Sequence, residues 1–245
     1  MTQYRWNTDE AARAYDSAAE HIHPHYLEIQ DEILQRLGRR SAATLLVVDA
    51  GGGSGRLMER VLELLPRAAG VGVERSEPYL ALAGERLSRF GSRVMLLQYR
   101  LQDDWGNALP RPADAIVSMS AIHHLEPDEK RSLYAHCREC LTPGGVFYNG
   151  DEFRSESDEN HLAELCRWAE HMQANLEVGL IPKAFTEMVA KWKQRNVDEF
   201  GSLKQSGDDC HETIDTQVGY LREAGFTRPS IEWRKEMWAI IAAER

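Results

Sequence analysis

The sequence predicts an α/β protein built on a doubly wound, mostly parallel sheet of seven strands, with an antiparallel C-terminal hairpin and helical caps. Three observations lead to this prediction. Between residues 44 and 153, five short β-type runs alternate with helix-like segments, which is typical of consecutive βαβ units. A glycine-rich turn follows the first run, and two further β-type runs close the chain. The five runs are residues 45–49, 70–74, 94–99, 113–119 and 146–150.

Helical segments surround this alternating region. Residues 1–40 carry apolar side chains at spacings of three and four, which predicts an N-terminal helical cap. Residues 41–153 form the predicted core, and residues 154–210 lose the strand pattern and form a predicted inserted helical cap that ends in a polar loop at 201–208. Residues 211–245 are predicted to complete the core sheet with a helix at 214–224 and strands at 231–233 and 237–243.

The composition of the 245 residues excludes several classes of protein. Lys and Arg total 29 against 39 Asp and Glu, and the resulting formal charge of −10 repels phosphate backbones, so nucleic acid is not an expected partner. No apolar run approaches the roughly 18 residues of a membrane span. The N-terminus lacks the apolar region of a signal peptide, and four cysteines make no disulfide framework. We therefore expect a cytoplasmic protein without membrane contact. The sequence does not decide whether it forms a homodimer.

The most informative segment is the glycine-rich turn. Asp49 ends the first β-type run, and Gly51, Gly53 and Gly55 follow it at every second position. Glycines there let backbone N–H groups approach a ligand without an intervening Cβ atom. The spacing is not the Gly-x-Gly-x-x-Gly of dinucleotide folds, because Arg56 stands where the third glycine belongs, and the ending of a P-loop is absent. The turn is therefore predicted to bind a different ligand.

A second acid strengthens this prediction. Glu74 ends the second β-type run, 25 residues after Asp49, where a carboxylate can accept hydrogen bonds from both hydroxyls of a ribose. With this acid and its Asp-x-Gly-x-Gly-x-Gly loop, the sequence resembles the class I S-adenosylmethionine-dependent methyltransferases. The resemblance continues through residues 113–125, 141–145 and 220–226. It implies a Rossmann-like core that binds S-adenosyl-L-methionine and releases S-adenosyl-L-homocysteine.

The resemblance also implies a set of cofactor contacts. Arg100 stands where the family usually has an aspartate that meets the adenine amino group, so Leu101, Gln102 or Asp103 has to replace that contact. Tyr15 resembles a lid residue of the N-terminal cap, with simple packing as the alternative. The expected cofactor contacts are Tyr15, Asp49, Gly51, Gly53, Gly55, Glu74, Arg75, Leu101, Gln102 and Ser118.

Candidate catalytic residues follow strands four and five, because ligands of open α/β sheets bind outside the carboxyl ends of the strands. Methyl transfer to a hydroxyl group benefits from a base. His123 and His124 follow strand four and are the candidates, with His123 preferred. Asp151 and Glu152 lie just beyond strand five, where either can orient an acceptor or a base, and Asp151 completes the candidate set. The alternative is that both histidines are structural and the acids open a solvated loop.

No metal site is expected from the sequence. His21, His23 and His25 alternate, but a proline interrupts regular structure there, and the neighbouring acids form no known ligand spacing. Cys137 and Cys140 form a single Cys-x-x-Cys on one helix face, without a second pair. We expect both cysteines to be buried as small apolar residues.

The sequence therefore predicts an S-adenosylmethionine-dependent methyltransferase with a small-molecule acceptor, and the histidine pair favours oxygen as the acceptor atom. Two other functions stay open. One is an enzyme similar to the carboxy-S-adenosylmethionine synthase of tRNA modification, for which Arg154 or Arg100 would receive a carboxylate. The other is a non-catalytic cofactor-binding partner protein. Four tryptophans are candidates for lining an enclosed acceptor cavity, with core packing as the alternative: Trp168, Trp192, Trp233 and Trp238.

Overall fold

Seven strands form a single sheet in the computed structural model, which describes residues 8–40, 44–203 and 209–245. The strands are β1 (Leu46–Ala50), β2 (Ala69–Glu74), β3 (Val94–Gln98), β4 (Ala113–Met119), β5 (Leu141–Glu152), β6 (Thr227–Lys235) and β7 (Trp238–Glu244). Their order is β3-β2-β1-β4-β5-β7-β6. Strands β1 to β5 are parallel, whereas β7 is antiparallel to both β5 and β6. The predicted fold class is confirmed.

Helices flank both faces of the sheet. They are α1 (Asp9–Ile22), α2 (Tyr26–Gly38), α3 (Arg56–Leu64), α4 (Glu77–Leu87), α5 (Pro127–Cys140), α6 (Asp158–Glu177), α7 (Thr186–Lys193) and α8 (Ile214–Glu223). None of these helices combines the length and the apolar content needed to cross a membrane. Residues 1–7 of the predicted N-terminal cap and most of the predicted loop at 201–208 lie outside the described residues.

Two hydrophobic cores lie on opposite faces of the sheet, because successive side chains of a strand point to opposite sides. Val47 of β1 belongs to the core formed with α2, α3 and α6, and Val48 belongs to the core formed with α5 and α8. Cys137 and Cys140 of α5 are free thiols buried in the second core, as expected for small apolar residues.

The strand order reverses between β1 and β4, which lie side by side with β2 and β5 on their far sides. Ligands of open α/β sheets bind in the crevice at the carboxyl ends of such a pair. The glycine-rich turn leaves β1 at this edge, and the segment of residues 120–124 leaves β4 at the same edge. The topology therefore brings together the two parts of the predicted site.

Strand β5 differs from its prediction at both ends. It begins at Leu141, so residues 141–145, which precede the predicted run at 146–150, belong to the strand and form a bulge opposite the start of β4. It continues to Glu152, because Asp151 and Glu152 pair with β7. The prediction that these two acids lie beyond the strand is wrong, and both side chains are fully buried.

The N-terminal region forms two helices rather than one continuous helix. Residues 23–25 separate α1 from α2, and His25 has a left-handed φ of 61° immediately before α2 begins. His25 contacts the exposed acids Glu28 and Glu236, at 3.1 and 3.5 Å. His23, in contrast, turns inward and is 8% exposed. The alternating histidines therefore point into different environments.

Candidate active site

The glycine loop turns sharply from β1 into α3. Gly51, Gly53 and Gly55 have φ values of 79°, 52° and 78°, which residues with a side chain rarely adopt. A Cβ atom on Gly51 would lie only 2.6 Å from the Cβ atom of Ala121. The N–H group of Gly51 donates to the carbonyl of Val73 at 2.9 Å and so ties the loop to β2. The segment after β4 therefore packs directly against the glycine loop.

Two acids lie beneath this loop. Asp49 is 2% exposed, and its Oδ2 atom has no hydrogen-bond partner among the described residues. The two oxygens of Glu74 accept one backbone N–H each, from Ser76 at 2.8 Å and from Gly53 at 3.2 Å. Each Glu74 oxygen therefore keeps a lone pair for a ligand hydroxyl.

Burial determines the acidity of both carboxyl groups. It raises the pKa of Glu74 above its usual value. Burial, together with the charge of Glu74, raises the pKa of Asp49 to about 7. At Asp49 the buried Oδ2 atom has no partner among the described residues, and it lies near the hydroxyl acceptors of Glu74. This pair suits a ligand that carries both a ribose and a cationic group.

The segment after β3 contains the unusual Arg100. Asp103 accepts the Arg100 N–H at 2.9 Å and its guanidinium at 3.2 Å, so these two residues close a local turn. The Gln102 amide donates to Glu129 of α5 at 3.0 Å. Leu101 comes within 3.6 Å of the position that a Cβ atom of Gly51 would occupy. Leu101 is therefore the predicted contact of this segment that covers the glycine loop.

Ser118 and Arg75, two of the predicted cofactor contacts, lie in different environments. Ser118 is fully buried in β4, and its hydroxyl donates to the carbonyl of Ala50 at 2.8 Å, which links β4 to β1. Arg75 is exposed beside Glu74, and its charge lowers the Glu74 pKa slightly against the effect of burial. Ser118 therefore joins two strands, whereas Arg75 lies at the rim.

Helix α1 lies across the glycine loop. The Asp16 carboxylate accepts a hydrogen bond from the Ser54 hydroxyl in the loop. It also accepts two hydrogen bonds from the Arg86 guanidinium of α4, at 2.7 and 2.9 Å. The Tyr15 hydroxyl lies 2.7 Å from Nε2 of His23, and its ring packs edge-on against a tyrosine of α4. Asp16 and Tyr15 therefore hold the N-terminal cap against the loop.

Beyond the loop, titratable side chains from four segments converge at the carboxyl ends of β4 and β5. We call four of them the inner cluster: His23, His123, Asp151 and Glu152. Nδ1 of His123 lies 2.7 Å from Asp151 Oδ1 and 2.9 Å from Glu152 Oε2, and Nδ1 of His23 lies 3.3 Å from Glu152 Oε1. All four side chains are nearly or fully buried. The predicted candidates His123 and Asp151 therefore lie in direct contact.

The charge state of His123 follows from its neighbours. Burial alone lowers the pKa of an imidazole, but the carboxylates of Glu152 and Asp151 outweigh it and raise the pKa of His123 well above its usual value. The two carboxylates therefore favour the protonated form of the His123 imidazole.

His124 lies at the edge of the cluster and pairs with another acid. Its Nδ1 atom is 3.1 Å from Oδ1 of Asp209, and 42% of its side chain is exposed. Because Asp209 engages Nδ1, the other ring nitrogen is left for a substrate. Accessibility and pairing therefore favour His124 over His123 as the residue that meets an acceptor.

A cavity of about 120 Å³ adjoins the cluster, between α6, the π-helical turn Gln194–Asp198 and the segment before α8. Arg154, His161, Phe200 and His211 are among its lining residues. The ring centroid of His211 lies 5.7 Å from that of His123. Burial lowers the pKa of His211 to about 3, so its imidazole is neutral, and its Nε2 atom has no hydrogen-bond partner among the described residues. The cavity therefore ends next to His123 of the inner cluster.

The four tryptophans considered for an acceptor cavity pack elsewhere. The ring centroid of Trp168 lies 4.5 Å from that of Trp192 and 5.2 Å from that of Trp238, and Trp233 packs against His25. None of the four is among the described residues that line the cavity. Core packing, the alternative named above, accounts for their positions.

Neither arginine considered as a carboxylate receptor is unpaired. Arg154 forms an ion pair with Asp158, the first residue of α6, and Arg100 pairs with Asp103. Each is thus balanced by a nearby acid at the surface.

Four members of this polar region were not among the predicted catalytic residues: His23, Glu152, Asp209 and His211. The available signal was a density of His, Asp and Glu residues immediately before α8 and at the end of β5. A density of polar residues in a loop is also typical of solvated surface, so this signal alone does not identify a site.

Comparisons with known proteins agree with this geometry. A family model described as a methyltransferase domain matches residues 48–147. An uncharacterised methyltransferase of Geobacillus kaustophilus is 31% identical over 158 residues, which cover 60% of this chain and 69% of that protein. Another, from Geobacillus sp. (strain WCH70), is 24% identical over 246 residues, which cover 97% of this chain and 96% of that protein.

The fold is also shared with solved structures. An O-methyltransferase family protein from Burkholderia thailandensis superposes with a TM-score of 0.66 at 18% sequence identity, over 98% of this chain and 61% of that chain. This chain therefore spans about three fifths of the length of that solved protein.

Proposed function

Because the chain belongs to the class I S-adenosylmethionine-dependent methyltransferases, we propose that it transfers the methyl group to an oxygen atom of a small-molecule acceptor. The observation that carries this proposal is the buried set of imidazoles and carboxylates at the ends of β4 and β5, directly beside the glycine loop. A hydroxyl acceptor has to lose a proton, and such groups can hold and receive it.

The chain's residues divide into two functions. Glu74 accepts the ribose hydroxyls, Asp49 balances positive charge, and Leu101 covers the loop on the adenine side. When bound, S-adenosylmethionine would supply a sulfonium methyl group for transfer to the acceptor oxygen. The free ring nitrogen of His124, with Asp209 orienting the ring, would receive the hydroxyl proton.

The small size of the cavity supports a small acceptor. The cavity lies between α6 and the π-helical turn and reaches His211, whose ring centroid is 5.7 Å from that of His123. Most of its described lining side chains are polar, with Leu165 and Phe200 as the apolar members, so it suits a small polar molecule better than a macromolecule.

The experiment is methylation of a panel of small hydroxyl, amine and thiol compounds with S-adenosylmethionine, with mass spectrometry and NMR of the products. We expect O-methylated product, and His124→Gln should lower kcat by about 10²–10⁴-fold without changing cofactor affinity. His21→Gln, which changes a partly exposed imidazole outside the cluster, is the control. Methyl groups found only on nitrogen or carbon would contradict the proposal, and a carboxylated cofactor copurifying with the protein would replace it with different chemistry.

The raised pKa of Asp49 predicts a pH dependence of cofactor binding. Cationic S-adenosylmethionine favours the ionised carboxylate, and the free enzyme's Asp49 has a pKa of about 7. Below this pH the group must first lose a proton, so binding tightens as the pH rises through 7 and then levels off. The dissociation constant should fall about tenfold between pH 6 and pH 8 by this linkage. Calorimetry at several pH values measures it.

Asp49→Asn is the matched control, because it keeps the shape of the side chain and removes its titration. The variant should bind more weakly, with the Asp49 contribution to the pH dependence gone. An unchanged pH profile in Asp49→Asn would assign the effect to another titrating group, such as Glu74, whose pKa burial also raises.

The attachment of α1 to the loop predicts a combined effect on stability and binding. Asp16→Ala leaves the partly buried Arg86 and the Ser54 hydroxyl without their shared acceptor. We expect the free energy of unfolding to fall by about 1–3 kcal/mol and cofactor affinity to fall severalfold. Denaturant titration and calorimetry measure the two quantities. Arg13→Ala removes an exposed ion pair between α1 and α4, the two helices that Asp16 and Arg86 also join. This variant should leave the free energy of unfolding and the cofactor affinity nearly unchanged.

A further inference from the structure

The inner cluster has more carboxylate than its hydrogen atoms can satisfy. Nδ1 of His123 carries one hydrogen, and the hydrogen-bond geometry directs it to Asp151. Glu152 is 0% exposed, and neither of its oxygens makes a hydrogen bond to any described residue, although His123 and His23 approach to 2.9 and 3.3 Å. A buried carboxylate left in this way is costly. Glu152 therefore needs a further donor or a cation.

His23 provides the second, independent observation. Its Nε2 atom is 2.7 Å from the Tyr15 hydroxyl, which leaves Nδ1 directed at Glu152. That Nδ1 atom is buried and has no hydrogen-bond partner among the described residues. The imidazole and the carboxylate thus face each other at close range without a hydrogen bond between them.

The donor set and its spacing match a metal site. Nitrogen and oxygen atoms of His123, Asp151 and Glu152 all lie within 4.8 Å of one another, whereas His23 lies outside this set, with its Nδ1 atom 3.3 Å from the other oxygen of Glu152. Contacts of 2.7 and 2.9 Å from His123 Nδ1 to the two carboxylates are close to the separations of ligands that share one ion with bonds of about 2.0–2.2 Å. One imidazole and two carboxylates form a set of nitrogen and oxygen donors that suits zinc, iron or manganese.

We propose that the inner cluster binds one divalent transition-metal ion through His123 Nδ1, Asp151 and Glu152. The ion joins the segment after β4 to the end of β5. It takes the place of the proton between His123 and the carboxylates and balances both buried charges. His23 supports the Glu152 carboxylate from its other side, and the site goes beyond the proposed methyl transfer.

The test uses the full chain after removal of metal with a chelator. Calorimetric titration with Zn²⁺ and, separately, Mn²⁺ is combined with elemental analysis of the dialysed protein. We expect one equivalent of at least one of these ions per chain, release of protons on binding and a higher Tm. Glu152→Gln should weaken binding by about a hundredfold or more, and His23→Gln, which removes the imidazole next to Glu152, should weaken it by about tenfold. His25→Gln, the neighbouring histidine that faces exposed acids, should bind like the unchanged protein.

Several outcomes would overturn the proposal. One is failure of the unchanged protein to bind either ion, and another is binding that Glu152→Gln and His23→Gln leave intact. Loss of binding in Asp209→Asn alone would place the ion on the other side of His123, where His124 and Asp209 lie. If Glu152→Gln does not fold, His23→Gln and the stoichiometry of the unchanged protein decide. None of these measurements depends on methyl transfer, so a negative result for metal binding would leave the proposed function unchanged.

Discussion

Glu74→Gln is expected to weaken binding of S-adenosylmethionine about a hundredfold, the loss of two hydrogen bonds to a charged acceptor. Both Glu74 oxygens already accept a backbone N–H, from Gly53 and Ser76, and both keep a lone pair for a ribose hydroxyl. An amide offers one oxygen only, so its NH₂ group must face one of those backbone donors. The substitution therefore disturbs the glycine loop and removes a hydroxyl acceptor together. Calorimetric titration measures the change.

Glu77→Gln is the matched control, because Glu77 is an exposed acid three residues further along, at the start of α4. It should bind the cofactor like the unchanged protein. If Glu74→Gln bound as tightly as Glu77→Gln, the ribose would have to lie away from β2, and our placement of the cofactor would be wrong.

Gly51→Ala is expected to abolish most cofactor binding and to destabilise the fold. The residue has a φ of 79°, which costs an alanine about 1–2 kcal/mol. Its Cβ atom would also lie 2.6 Å from the Cβ atom of Ala121, so the segment that leads to His123 and His124 must move. Displacement of about 1 Å at a site of this kind can reduce the rate a hundredfold. We expect a comparable loss in affinity, measured by calorimetry, and a lower Tm.

Gly144→Ala separates backbone strain from this close contact. Gly144 has a φ of 75°, but a Cβ atom there meets nothing within 4 Å. This variant should lose stability through strain alone and bind the cofactor normally. Equal loss of binding in the two variants would show that general instability, rather than contact with Ala121, causes the defect.

The fold could be predicted because its determinants are local. Parallel strands buried on both faces appear as short apolar runs such as 113–119, and a helix-length segment separates each from the next. The end of β5 could not be predicted in this way. Asp151 and Glu152 are polar, and they belong to the strand only because β7, almost ninety residues later, pairs with them.

The two halves of the site differ for the same reason. The glycine loop and Glu74 follow strands directly, so their spacing in the sequence already encodes their geometry. The polar cluster combines His23, His123, the β5 acids and Asp209, from segments that tertiary packing alone brings together. His123, His124 and Asp151 could be predicted from the edge rule for open sheets. The preference for His123 came from a comparable loop position in relatives, whereas the carboxylates that enclose His123 come from elsewhere in the chain and could not be predicted.

The central claim is that the cofactor lies across the glycine loop with its sulfur directed at the polar cluster. A crystal structure with S-adenosylhomocysteine bound tests it most directly. We expect the ribose hydroxyls on Glu74, the adenine against Leu101 and the sulfur facing the segment of residues 120–124, with the His124 ring open toward the missing methyl group. A sulfur atom directed away from that segment, with His123, His124 and Asp151 all pointing elsewhere, would contradict the account.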